Sequence, residues 1–385
     1  MLPMIYSSMR TLLVVASCIL IAKNLPAQDQ LEVPQKWNYS PELLKPFWRG
    51  DFVEQESVLF LKSKPEEPAR GKVLFPIEEV ISVRSSAGDK IYQEGIDYQY
   101  DVGTRELIIP AGSEIVTTVA SDLRRPANSQ RHQLTHRDGN GEILFGGGLE
   151  YHQMQTSVTY KKADSTWPLI MPEYDASVLP ITLQKLQDQQ EVSIVLLGDS
   201  ISTGCNASGW GGGAPCQPPY QDLLVQHLQH HYQAKVKLTN LSVGGKSTPW
   251  GLTMIEKVTE HKPDLVILAF GMNDSAGRSA EEYGQNTARM IKATRDVLPQ
   301  TEFILIATML GNRDWTRLNH EIFPLYRNEL AALCEPGIAL ADMTSVWNQL
   351  LKWKKDADLT GNGVNHPNDF GHRIYAQVLA SLLIK

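Results

Sequence analysis

Two rhythms of apolar residues run along the chain. Between Glu56 and Tyr160 they are short and broken by polar positions, as in Val58-Leu59-Phe60-Leu61, Val80-Ile81-Ser82-Val83, Leu107-Ile108-Ile109 and Thr156-Ser157-Val158-Thr159-Tyr160. Turn-forming stretches such as Ser86-Ala87-Gly88-Asp89 and Pro110-Ala111-Gly112-Ser113 separate them, a combination that predicts an all-β sandwich. After a proline-spaced connector between Trp167 and Pro180, Ile181 to Gln187 reads as a short helix and the rhythm changes. Strand-like runs recur at Val192 to Leu197, Val236 to Leu241, Leu265 to Phe270, Phe303 to Ala307 and Ile338 to Ala341. Each is followed by a stretch of helical period, for example Tyr220, Leu223, Leu224 and Leu228. Such strands alternating with helices predict a parallel sheet in a layered α/β fold.

A chain of 385 residues has room for two domains. The expected division is a signal peptide over 1–27, a β-sandwich accessory domain over 28–165, a connector over 166–188 and an α/β domain over 189–385. The leader is read from Arg10, the apolar run Thr11 to Ala22 and the small residue in Leu25-Pro26-Ala27. That run is too short to span a bilayer, so export to the periplasm or outside the cell is expected, with mature protein beginning near Gln28. Val15-Ala16-Ser17-Cys18 also resembles a lipoprotein box, with Cys18 as the lipidated residue, although Ile19-Leu20-Ile21 is apolar for a mature start.

The formal net charge is −7, and loss of Arg10 and Lys23 with the leader makes it more negative. An acidic chain without a long basic run argues against nucleic acid and anionic membranes as partners. Cys205 and Cys216, on either side of a Gly-rich loop, are placed to pair in an oxidising compartment. Trp37, Trp48, Tyr92, Tyr98 and Tyr151 have two readings, sandwich core or a sugar-stacking platform, and core is the commoner role.

Candidate chemistry gathers at the strand ends. The first α/β strand runs into Gly198-Asp199-Ser200, the second into Asn240-Leu241-Ser242-Val243-Gly244-Gly245, and the third into Gly271-Met272-Asn273-Asp274. If the first strand lies between the second and third, Ser200 and Asn273 flank the topological switch point where open α/β sheets bind ligands, and Gly245 borders the same crevice. Near the C-terminus His366-Pro367 precedes a last amphipathic helix, which aims the imidazole back towards the sheet. His230-His231 is a tempting metal pair, but neighbouring residues on a helix point in different directions. Asp199 and Asp274 read as loop-bonding carboxylates rather than acids.

Together these four blocks, in this order, resemble the SGNH/GDSL hydrolase superfamily over about residues 190 to 385. The resemblance implies a flavodoxin-like three-layer sandwich with a five-stranded parallel sheet. It further implies Ser200 as nucleophile, His366 as general base, and an oxyanion hole from the Ser200 and Gly245 backbone N–H groups and the Asn273 amide. Neither metal nor cofactor is required. One position departs from the family pattern, which commonly places an Asp three residues before this His, where Gly363 stands here. The group that orients the imidazole is therefore open among Asn362, Asn365, Asp358 and a backbone carbonyl, with a carbonyl-assisted Ser-His dyad the expected arrangement. Trp210, in a Gly-rich loop mobile enough for a lid, and Asn312 and Trp315, after the fourth strand, are candidates to line the substrate pocket. An exported hydrolase behind a β-sandwich is similar to bacterial carbohydrate acetylesterases, which implies O-acetyl sugars as small or polymeric substrates. Two alternatives stay open: a lipase, lysophospholipase or thioesterase on the same site, and a sugar-binding protein with a decayed hydrolase fold.

Overall fold

A computed structural model describes residues 37–385. The expected leader, its cleavage site near Gln28 and Cys18 lie outside the described residues.

In the N-terminal half the alternating pattern builds β1 (Phe52–Leu59), β2 (Ala69–Lys72), β3 (Ile77–Ser85), β4 (Glu106–Ile109) and β5 (Gln155–Lys162). One antiparallel sheet runs β1, β5, β3 and the short strand Ile91–Tyr92. A second runs Gln99–Tyr100, β4, β2, Leu61–Lys62 and Thr118–Val119, with only its last pair parallel. Val58, Phe60, Val73, Phe75, Leu107, Val158 and Tyr160 fill the shared core. A side chain at Gly71 would collide with Val58 and Phe60, so glycine sets how closely β2 lies on β1. Tyr92, Tyr98 and Tyr151 are buried, and Trp37 and Trp48 pack on the core, so these aromatics are structural and offer no open stacking platform.

In the C-terminal half β6 (Val192–Gly198), β7 (Val236–Asn240), β8 (Leu265–Ala269), β9 (Glu302–Ala307) and β10 (Ile338–Asp342) form one parallel sheet in the order β7-β6-β8-β9-β10. This is the flavodoxin-like arrangement, with the switch point between β6 and β7 on one side and β8 on the other. Around the sheet lie α1 (Pro180–Gln187), α2 (Tyr220–Tyr232), α3 (Ala280–Val297), α4 (Ile322–Ala332), α5 (Met343–Leu350) and α6 (Asp369–Leu383). Successive side chains of a strand point to opposite faces. Ile194 and Leu196 accordingly meet Leu224 of α2 and Ile374 of α6, whereas Val195 and Leu197 join Met290 of α3 and Leu330 of α4 in the other core.

The two halves share buried polar ties as well as apolar core. Glu56 on β1 pairs with Lys354 at 2.9 Å, both side chains fully buried, and Tyr160 donates to the same carboxylate. Burial pushes the Glu56 pKa up, and the Lys354 ammonium opposes that shift. Asn368, at the start of α6, donates to Ser57 and Gln155, while Gln155 donates to the carbonyls of Ala357 and Thr360. The backbone leading to His366 is thus braced by strands from the other half.

Candidate active site

Each block owes its shape to local chemistry. Gly198 ends β6 where a Cβ would meet the Ala269 carbonyl at 2.6 Å, so only glycine lets the strand end lie against β8. Next, the Asp199 carboxylate accepts from the N–H of Ile201, two residues on, at 3.0 Å. This turn swings Ser200 out of the strand line and leaves its hydroxyl at the edge of the sheet. The other Asp199 oxygen is buried without a partner, and burial raises that carboxyl to about 7, with Asp274 adding to the shift. Asp199 therefore shapes the turn and holds no substrate-facing position.

After β7, Asn240 ties the second block to the first by donating to the Ser202 carbonyl at 2.7 Å. Gly244 stands beside Ser200, and Gly245 has φ +75, a left-handed conformation that glycine adopts without strain. After β8, the Asn273 amide donates to the Lys246 carbonyl at 3.0 Å, which fixes its nitrogen towards this same loop and leaves its second N–H free. Asp274 fastens the two loops together, accepting from Thr248 and Arg278. Among the described residues, the backbone N–H groups of Ser200 and Gly245 have no hydrogen-bond acceptor.

The third segment brings an imidazole to Ser200. His366 Nε2 lies 2.9 Å from Ser200 Oγ, and His366 Nδ1 lies 2.9 Å from Asn206 Oδ1. The Asn206 Nδ2 group donates to the carbonyls of Gly146, Gly148 and Gly361 at 3.3, 3.3 and 3.1 Å. Three acceptors around one nitrogen fix the amide, so its oxygen is the atom that meets the ring. Nδ1 must then carry the proton and Nε2 the lone pair that faces the serine hydroxyl. Burial pushes the His366 pKa down to about 4, and no carboxylate offsets it, so the ring is neutral at neutral pH.

The orienting group differs from those expected, since none of Asn362, Asn365 and Asp358 reaches the ring and no backbone carbonyl does. Asn362 is buried and its oxygen collects the N–H groups of Val364, Asn365 and His366, while its nitrogen donates to Asn365. These two residues shape the loop that carries His366. Asp358 accepts from Leu59 and Lys355 and anchors that loop's approach. Gly363, where the resemblance would place an acid, has no room for a side chain. It has φ +75, and the Tyr151 ring occupies the space that a side chain would need. A tyrosine from the N-terminal half thus fills the place of a side chain at 363, and Asn206 from the loop after Ser200 makes the contact to the ring.

Other expected positions fall as follows. Trp210 is half-exposed and lies near Gly204 on the rim. Asn312 is not free to meet substrate, because its amide donates to the Gly363 carbonyl and accepts from the Asp314 N–H. Trp315 packs into the core beside Leu134, Ile143 and Val364. Cys205 and Cys216 are free thiols, not a disulfide, and Cys205 Sγ lies 3.3 Å from Thr203 Oγ1. The loop between them is held instead by Gly209 and Gln217 backbone pairing and by Ser208 and Gln217 contacts to Asp369. That anchoring disfavours a hinged lid. His230 and His231 are exposed at the end of α2. Sequence reading missed Asn206 and His372, the latter a buried ring that donates to the Cys205 carbonyl next to Asn206, and it had Tyr151 only as core or platform, not against Gly363.

Comparison with known proteins agrees with this geometry in one respect, the family. Residues 196–374 match the model of the GDSL-like Lipase/Acylhydrolase family. An arylesterase of Vibrio mimicus is 30% identical over 110 residues, which is 28% of this chain and 51% of that protein. The chain therefore spans about half the length of the curated relative it matches. A solved two-domain esterase active on acetylated mannans is 17% identical, with TM-score 0.44, covering 55% of this chain and 53% of that one. An acetyl xylan esterase from Geobacillus stearothermophilus is 18% identical, with TM-score 0.42, covering 51% of this chain and 99% of that one. Residues 196–374 thus form a segment similar to the GDSL-like Lipase/Acylhydrolase family, and the match takes in a little under half of the chain.

Proposed function

We propose that this chain is a serine esterase that hydrolyses short-chain esters, O-acetyl groups on carbohydrates being the substrates that suit it best. The observation that carries the reading is the relay from Asn206 through His366 to Ser200, two contacts of 2.9 Å each. A serine hydroxyl becomes a nucleophile when a neighbouring base takes its proton in the transition state. In this reading Ser200 Oγ attacks the ester carbonyl while His366 Nε2 accepts its proton. The resulting oxyanion is met by the N–H groups of Ser200 and Gly245 and by the free N–H of Asn273, donors already in place before reaction. Collapse returns the proton to the departing alcohol and leaves an acyl-Ser200. His366 then deprotonates a water, whose attack releases the acid and restores the hydroxyl.

Because Asn206 is neutral, it orients the imidazole and fixes its tautomer without offering a negative charge to the imidazolium that forms. The loops around Ser200 supply Gly244, Gly245 and the Asn273 amide, small or polar groups that favour a compact acyl unit over a long aliphatic chain. Export, and division of the chain near residues 166–188, belong to the same proposal. Among the described residues, no helix is long and apolar enough to cross a membrane. Turnover of p-nitrophenyl acetate and p-nitrophenyl octanoate by the wild type and by Ser200→Ala tests it. Acetate should be preferred and the variant inactive; preference for octanoate would favour a lipase, and absence of any turnover a binding protein.

A further inference from the structure

A cleft of about 840 Å³ opens on the same edge of the sheet as Ser200. Its floor includes Leu310 and Leu318, past the end of β9, and it is walled by the first turns of α4 and α5 at Pro324 and Ser345. β9 is two strands from β6, a lateral offset of ~10 Å at the usual strand spacing. A Cβ on Gly311 would touch Leu318, Met272 and the Val364 carbonyl, so the cleft floor backs onto the segments that carry Asn273 and His366.

Three guanidinium groups face this space, each already held by one edge. Arg137, from the N-terminal half, donates to the carbonyls of Arg313, Trp315 and Leu318. Arg313 donates to Asn348 at 2.9 Å, and Arg327 pairs with Asp342 at 2.8 Å. Each keeps further N–H donors unspent. Among the described residues, neither Arg137 nor Arg313 has a carboxylate within ion-pair distance. Of the acids on the rim, Asp314 turns towards His136 at 3.2 Å, and Glu321 is exposed. Helices α4 and α5 both begin at the cleft, so the positive ends of two helix dipoles add to the field.

Anchored guanidinium forks with free donors are suited to a planar carboxylate, and a volume of this size is suited to a ligand larger than a simple anion. We propose that the cleft is a second binding site, for a uronate unit of an acidic glycan whose acetyl ester is placed at Ser200. The assignment of this glycan as substrate rests on the esterase reading; binding at the cleft does not. A chain lying along the carboxyl edge of the sheet reaches both places, which makes acetylated uronate-bearing polysaccharide the substrate class.

Calorimetric titration of the full chain with trigalacturonate, and with a neutral galactose trisaccharide, tests the proposal. Trigalacturonate should bind about tenfold more tightly or better, the scale expected for a charge-assisted contact. That advantage should shrink with added salt, nearly vanish in Arg313→Ala, and be partly kept in Arg313→Lys, with circular dichroism checking that each variant folds. Equal or undetectable binding of the two sugars overturns the proposal, as does an undiminished preference in folded Arg313→Ala. Turnover of p-nitrophenyl acetate by the same preparation separates the two readings, since its absence ends the esterase account without altering the sugar-binding result.

Discussion

Replacing Asn206 with aspartate restores, on paper, the acid of an ordinary triad. The structure points to the opposite outcome. The amide nitrogen of Asn206 sits among three carbonyl oxygens at 3.1 to 3.3 Å, so Asn206→Asp sets a carboxylate oxygen against three acceptors. Each lost neutral hydrogen bond is worth about 1 kcal/mol net, and leaving buried acceptors unmet costs more, so a destabilisation of about 3 kcal/mol is the scale expected. The new carboxyl either takes up a proton, which recovers one of the three bonds, or rotates away and releases the imidazole. Asn206→Ala removes the orienting oxygen together with the donor to the same three carbonyls; loss of about 1 to 3 kcal/mol of orientation corresponds to roughly a 5- to 150-fold fall in kcat/KM. Urea denaturation and p-nitrophenyl acetate kinetics at neutral pH read both effects. Asn206→Asp should be less stable and less active than the wild type. Activity of Asn206→Asp equal to or above that of the wild type, with an unchanged urea midpoint, would overturn this expectation.

The remaining predictions concern the base, the oxyanion hole and the displaced acid. With His366 pushed down to about 4, its neutral form is the working one above that value. The profile of kcat/KM should therefore stay flat from neutral pH to about 5 and fall only near 4, whereas an acid limb centred near the ordinary histidine pKa would contradict the assignment. The same shift makes folding bind fewer protons than the unfolded chain between about 4 and 6.5, so stability should decline as pH falls through that window. It must be measured alongside activity. Asn273→Ala should lower kcat by about 10²- to 10³-fold with little change in KM, as for loss of one oxyanion donor, and a change of only a few-fold would remove Asn273 from that role. Gly363→Asp, which inserts the family's usual acid, should lower both thermal midpoint and activity because of the left-handed backbone and the Tyr151 ring, and an activated variant would show that the site is open after all.

How far the sequence reaches depends on how local each cause is. The five parallel strands were legible because their two-sided burial leaves a run of apolar residues that needs no partner to be recognised. Likewise Gly198-Asp199-Ser200 and Gly271-Met272-Asn273-Asp274 each form their turn from nearby residues. Asn206 is different. Its role comes from the carbonyls of Gly146 and Gly148, more than fifty residues upstream, and from Gly361 far downstream. In sequence it is one more turn-former in a Gly-rich loop, and only its position six residues after Ser200 sets it apart. Gly363 could be flagged as a departure, but what excludes an acid there is a ring from Tyr151, which no periodicity locates. Asn312 and Trp315 misled for a related reason: loop residues after a strand often face substrate, and here contacts to Gly363 and Val364 have already claimed them.

The proposed chemistry depends above all on one reactive hydroxyl activated by one imidazole. Labelling the intact chain with a fluorophosphonate, followed by peptide mass spectrometry, should find the adduct on Ser200 and should find it lost in His366→Ala. An adduct on another residue, or labelling of Ser200 that persists undiminished without His366, would be incompatible with it.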